Sequence, residues 1–227
     1  MAKKWFVPLI ILCTIGLIYL IGSITGTLRT ASLPTGANEP TIKHGSHIIF
    51  SNLVVPKRFD FILYKMAASQ QGGWEGGTWM MHLCGLPGDK VQLINGTLFV
   101  NNRNADSGRN LKLNYIISKE DLRKLGGEVF ARNHPDEVYV LDNDSVHITM
   151  ESDLFRQKGL SGHRNLDTDT TGFQEIYHQP WSRDNFGPLA IPTGKYFVLG
   201  DNRYAAADSR FTGLIDQSRY VGTVLFK

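Results

Sequence analysis

The sequence predicts a mainly β domain of antiparallel sheets behind one N-terminal membrane-spanning helix. Three observations carry that expectation. An apolar run without charge opens the chain. Short stretches rich in β-branched and aromatic residues then recur between Gly-, Pro-, Asn- and Asp-rich turns in both flanking parts of the domain. Residues 104–180 between them are polar and irregular and read as an insertion between two core halves.

The elements follow in order. Trp5 to Leu28 holds no charged residue. A bilayer core needs about 20 apolar residues in helical form, so this run is long enough to cross it. Lys3 and Lys4 precede it and Arg29 follows, which favours an inside N-terminus with the rest exported. A cleaved signal peptide has an apolar core of only about 7–15 residues, so a retained anchor in the lipid bilayer is expected. The run has no polar face, which argues against a soluble core helix. The expected division is 1–4 inside, 5–28 spanning, 29–33 a linker and 34–227 the exported domain. Within that domain the core is 34–103 and 181–227 and the insertion is 104–180.

"SHIIFSNLVV" (46–55) and "FDFILYK" (59–65) read as strands, and "AASQQGGWEGG" (67–77) as a loop. In "TWMMHLCGLPGDKVQLINGTLFVNN" (78–102) a strand enters a Gly-Leu-Pro-Gly-Asp turn, and two further strands flank an Asn-Gly hairpin. "SKEDLRKLG" (118–126) carries a Ser-x-x-Asp cap and a terminal Gly and predicts a short helix. "EVYVLDNDSVHITM" reads as two strands about a turn, and strands alternate with turns from Trp181 onward.

Composition excludes several classes. A net charge of +3 without a basic run gives no reason to expect a nucleic-acid partner. Cys13 lies in the span and cannot meet Cys84, which excludes a disulfide framework. The His residues show neither HExxH nor CxxC spacing, so no metal is expected, and no other cofactor.

Four separated pieces carry the chemistry: "PTGANEPTI" (34–42), "RFDFILYK" (58–65), "GLPGDKV" (85–91) and "GDNRYAAADSR" (200–210). Their order and spacing, with "DNFGPLAIP" before the last, resemble type I signal peptidases, membrane-anchored serine endopeptidases with a Ser–Lys dyad. The resemblance covers the anchor and both core halves, not 104–180. It implies an antiparallel β fold with an apolar rim near lipid, and signal peptides of exported preproteins as partners. It also implies residue roles. The nucleophilic Ser would stand at Ala37, the Lys base at Met81, four residues before Gly85, and the Ser that orients the base at Ala206. A methyl group has no lone pair, and a thioether is no base at useful pH, whereas a buried Lys of lowered pKa is. Thr35 and the backbone N–H of Ala37 match the oxyanion hole. Gly36, Pro40, Thr41, Gly85, Pro87, Gly88, Asp89, Gly200, Asp201, Asn202, Asp208, Ser209 and Arg210 match framework positions. At His82 the family has an Arg that pairs with the Asp matching Asp208, so that pair is in question here.

Ser→Ala and Lys→Met conserve size, which a packed site tolerates best. The expectation is a kept cleft with its chemistry removed. Two other readings stand beside it. One is a working peptidase with a displaced nucleophile at Ser32, Thr35, Ser46 or Cys84; the other is a purely structural envelope protein. Cys84 is expected as a buried structural thiol facing away from Met81, and His44, His47 and His82 as surface or turn residues.

Overall fold

The structure, a computed structural model, describes residues 3–66 and 77–226. The loop expected over 67–77 lies, apart from Gly77, outside the described residues. The N-terminal half contains α1 (Lys3–Thr25), β1 (Arg29–Ser32), β2 (His47–Ser51), β3 (Phe61–Lys65), β4 (Thr78–Gly85), β5 (Lys90–Ile94), β6 (Thr97–Val100) and β7 (Arg103–Asn104). The middle of the chain forms β8 (Lys112–Ser118), α2 (Lys119–Lys124), α3 (Glu128–Asn133), β9 (Val138–Val140), β10 (Ser145–Glu151), α4 (Ser152–Gln157), β11 (Gly162–Arg164) and α5 (Phe173–Tyr177). The remainder is β12 (Phe186–Ala190), β13 (Lys195–Leu199), α6 (Ser209–Thr212), β14 (Ile215–Asp216) and β15 (Tyr220–Phe226). The protein is mainly β, with antiparallel pairing between all these strands.

α1 contains the stretch Phe6–Thr25, of mean hydropathy 2.4, long and apolar enough to cross a membrane. It stops three residues short of the expected Leu28, at Gly26, whose φ of 74° leaves the right-handed helical region. Residues 29–33, expected as a linker, begin with a strand instead. β1 pairs with β2 from Arg29↔Phe50 to Ser32↔His47 and forms one edge of a seven-stranded sheet, ordered β1-β2-β15-β3-β4-β13-β14. A four-residue strand with one half-buried residue shows no apolar alternation, so its neighbour decides its conformation.

The sheet buries both faces. Ile48, Phe50, Phe61, Leu63 and Met80 pack on one side; Ile62, Tyr64, Met81, Leu83 and Val198 pack on the other. This is the period-two alternation of strands read twice over. A second sheet, β12-β5-β6-β7, packs its own apolar cluster around Val91, Leu93, Leu98 and Phe186. Its hairpin turns at Asn95 and Gly96, with φ of 48° and 72°, as a two-residue turn of the Asn-Gly type requires.

The middle segment is less irregular than its composition suggests. α2 is capped by Ser118, whose Oγ accepts from the Asp121 N–H at 3.0 Å, and β9 and β10 form the expected hairpin. The sheet is nonetheless larger, ordered β11-β8-β10-β9, with its own core of Leu113, Tyr115, Ile117, Val146, Ile148 and Met150. Half-exposed polar residues alternate with these along β8, which makes the segment read as polar. β8 also docks on the core. Lys112 N–H donates to the Asp201 carbonyl at 3.0 Å, and its own carbonyl accepts from Arg203 N–H at 3.1 Å.

Candidate functional site, an apolar spot under a held turn

The turn from Pro34 to Pro40 has few contacts of its own and is held by the segment after β13. Asn202 N–H donates to the Ala37 carbonyl at 3.0 Å, and Asn202 Nδ2 lies 3.4 Å from the Gly36 carbonyl. Thr41 Oγ1 donates to Asp201 Oδ2, and the Glu39–Pro40 bond is cis. Thr35 stands exposed at the mouth of the turn.

Gly200 is where positions 37, 81 and 206 meet. A Cβ built there would lie 2.3 Å from Ala206 Cβ, 2.5 Å from the Ala37 carbonyl oxygen and 3.4 Å from Met81 Sδ. Positions 37, 81 and 206, far apart in sequence, therefore share one spot. Ala37, Met81 and Ala206 are 6%, 2% and 5% exposed and belong to one apolar cluster with Ile62, Tyr64, Leu83 and Val198. The side chains there end in a methyl, a thioether and a methyl. The Tyr64 hydroxyl is buried in the same cluster and has no hydrogen-bond partner among the described residues, and burial, with the Asp208 charge added, pushes its pKa up. It is an acid held in its neutral form, not a base.

Beneath the spot lies a charged frame. Asp208, fully buried, caps α6 and accepts from Gly200 N–H at 3.2 Å and from Arg210 Nε and Nη2 at 2.9 and 2.8 Å. Ser209 Oγ accepts from Val198 N–H at 2.9 Å. His82 differs from the surface histidine expected. It is 6% exposed, stacks on Phe61 at 3.6 Å and places Nδ1 2.6 Å from Asp201 Oδ1. Its carboxylate partner is therefore Asp201, and Asp208 is matched by Arg210 instead.

The Gly85–Asp89 turn is a second frame. A Cβ at Gly85 would lie 2.2 Å from Ile191 Cδ1, 2.9 Å from Val91 Cγ1 and 3.1 Å from Phe197 Cβ, so a side chain there would force its packed neighbours to shift. Gly88, φ 85°, makes the turn after Pro87. Asp89 accepts from Leu86 N–H at 2.7 Å, from Arg58 Nη2 at 2.7 Å and from Asn101 Nδ2 at 2.8 Å. Burial alone would raise its pKa; these donors outweigh burial and hold the carboxyl below its ordinary range.

The residues considered as displaced nucleophiles are placed as follows. Cys84 is buried in the other apolar cluster, and burial pushes its thiol up to about 12. Ser32 Oγ lies 2.9 Å from His47 Nδ1, a cross-strand pair between exposed residues of β1 and β2. Among the described residues no carboxylate pairs with His47 to orient it. Ser46 is half-buried and His44 exposed. Among the described residues no group of His, Cys, Asp and Glu is arranged to hold a metal ion.

Two residues near the turn escape sequence reasoning. Asn38, 3% exposed, donates from Nδ2 to the Met80 carbonyl at 2.8 Å. Lys112 Nζ bridges Glu39, at 3.1 Å, and Glu137, which ties the middle lobe to the turn. Burial would lower the Lys112 pKa, but the two carboxylates outweigh it and raise it. Neither residue carries a local signal, since each role exists only once distant segments meet.

Residues 3–227 match the family described as "Signal peptidase, peptidase S26". The signal peptidase I of Buchnera aphidicola subsp. Baizongia pistaciae is 26% identical over 219 residues, covering 86% of this chain and 67% of that protein. The signal peptidase IB of Staphylococcus aureus strain Mu50 is 25% identical, covering 99% of this chain and 87% of that protein. A solved signal peptidase I from Enterococcus faecalis V583 aligns with 76% of this chain and 98% of its own at 21% identity, with a TM-score of 0.37. On the strength of the family match, which runs nearly the full length of the sequence, this chain belongs to the signal peptidase S26 family.

Proposed function

We propose that this chain is a membrane-tethered signal-peptidase homologue that binds signal peptides or other extended segments of exported proteins and does not cut them. α1 serves as a single-pass anchor with its N-terminus inside, and the β domain works on the outer, extracytoplasmic face. One observation carries the reading: Ala37, Met81 and Ala206 converge on Gly200 in one buried apolar cluster. Acyl transfer needs a nucleophile and a base within hydrogen-bond reach of each other. A methyl and a thioether supply neither. The rest of the cleft is intact enough to hold a guest. Thr35 and the Ala37 N–H keep the oxyanion-hole positions, and the Asp201–Asn202 loop still fixes the turn. A nucleophile displaced by several ångströms forfeits most of the benefit of positioning, which sets aside Cys84 and Ser32.

The test is photo-crosslinking in proteoliposomes. A preprotein with a photoreactive residue next to its signal-peptide junction is incubated with the full chain. The expected result is a crosslink to the uncut preprotein, suppressed by excess unlabelled signal peptide. Crosslinking no stronger than that of an unrelated soluble peptide would leave only a structural role in the membrane.

A further inference from the structure

We propose that Asn38 closes one rung of the strand edge on which a guest peptide would pair, and so restricts which extended segments this cleft accepts. The inference rests on the peptide-binding reading above.

Leu83 N–H donates to the Asp60 carbonyl, and the Leu83 carbonyl accepts from Phe59 N–H, so Leu83 turns its backbone groups toward the β3 side. Backbone groups alternate along a strand. Met81 and Trp79 therefore also face β3, where they pair with Ile62 and Tyr64. His82, Met80 and Thr78 face the opposite way. On that side β13 covers β4 only from His82 onward, with Leu199↔His82 as its last pair. β13 then ends, and the chain turns away through Gly200 and Asp201. Among the described residues no strand pairs with Thr78–Met80 on that side, next to the turn that carries Ala37. An open edge of this kind is where an extended peptide adds as a strand.

Of the acceptors on that edge, the Met80 carbonyl is taken. Asn38 Nδ2 donates to it at 2.8 Å, and the amide's own Oδ1 is buried with no hydrogen-bond partner among the described residues. The orientation follows from the contact, because only the NH2 end can serve a carbonyl. A buried amide that satisfies one backbone group and leaves its own oxygen unpaired is a poor choice for stability alone. It is an effective cap. Among the described residues nothing else pairs with Thr78 or the Met80 N–H on that edge while the Met80 carbonyl is occupied, so a guest strand loses one rung beside the converged positions 37, 81 and 206.

The experiment compares the native full chain with Asn38→Leu, of similar size and without a donor, and Asn38→Ala, which removes the donor together with its bulk. The probe is a fluorescein-labelled extended peptide with an apolar core and an Ala-x-Ala end, followed by anisotropy in detergent micelles. Melting curves confirm that each variant is folded. Both variants are expected to bind about tenfold tighter, the worth of one net backbone hydrogen bond. A series of peptides N-methylated at successive residues adds the specific readout. Binding to Asn38→Leu should be sensitive at one peptide amide to which the native chain is indifferent. Equal affinities, or the same set of sensitive amides in both chains, overturn the cap and leave the peptide cleft standing. Absence of binding to every folded chain overturns the cleft and the cap together.

Discussion

Replacing Met81 by Lys asks how dry the spot under the turn is. Met81 is 2% exposed, and the methyl groups of Ala37 and Ala206 share its spot beside Gly200. An ammonium placed there meets two methyl groups and, in the same cluster, the Tyr64 hydroxyl, and burial lowers its pKa. Buried lysines fall by about 3–5 units from an unperturbed value near 10.4. The folded state then holds a neutral amine at pH 7 while the unfolded chain holds a cation. At about 1.36 kcal/mol per unit over the roughly 3.4 units between pH 7 and 10.4, the loss is about 4–5 kcal/mol. That is a large share of the roughly 5–15 kcal/mol that holds a domain together. Because the folded pKa is the depressed one, the penalty shrinks by about 1.4 kcal/mol per unit as pH rises and vanishes near pH 10. Adding Ala37→Ser and Ala206→Ser should return about 0.5–1.5 kcal/mol for each hydrogen bond made to the neutral amine. Denaturant unfolding of the full chain in micelles at pH 7, 8, 9 and 10, run as a mutant cycle, measures each quantity. Full native stability of Met81→Lys at pH 7 would mean the spot is wet. Strict additivity with the two serines would mean the three positions do not share it.

Two further outcomes are expected. In a Cys13→Ser background, Cys84 should stay unreactive toward an aromatic disulfide reagent at pH 8 until the domain is unfolded, because burial pushes its thiol up to about 12; fast labelling of the native chain would restore it as a nucleophile candidate. The middle lobe should lose stability in weak acid. His147 is buried under Tyr139, with Nδ1 2.8 Å from Asn165 Nδ2, and burial lowers its pKa. Above about pH 6.5 both folded and unfolded states are neutral and nothing is lost; below it the unfolded chain takes the proton first and the loss grows down to the folded pKa. Melting between pH 7.5 and 5 should show this, and His147→Gln should flatten it; an unchanged slope in that variant would assign the effect elsewhere.

Much of the fold was legible because its signals are local. The apolar run that forms α1, the Asn95-Gly96 turn and the Ser118 cap each lie within a few residues of the structure they make. Positions 37 and 81 were singled out only through the family resemblance, with Met81 four residues before Gly85 and Ala37 directly after Gly36. What was missed depends on distant partners. His82 meets Asp201 across 119 residues, Lys112 meets Glu39 across 73, and Asn38 meets Met80 across 42. A histidine beside a former base position reads as a surface residue until the loop after β13 brings a carboxylate to it. β1 and the lobe sheet were hidden for a related reason. A short edge strand and a strand with one polar face take their conformation from the neighbour they pair with.

The central claim is that the cleft is kept and its chemistry removed. The most direct test is cleavage of a preprotein in proteoliposomes, read by mass spectrometry, with the native chain beside the Ala37→Ser/Met81→Lys/Ala206→Ser variant. The account predicts that the native chain leaves the preprotein whole and that the triple variant cuts at the signal-peptide junction. Cutting by the native chain at that junction would contradict it.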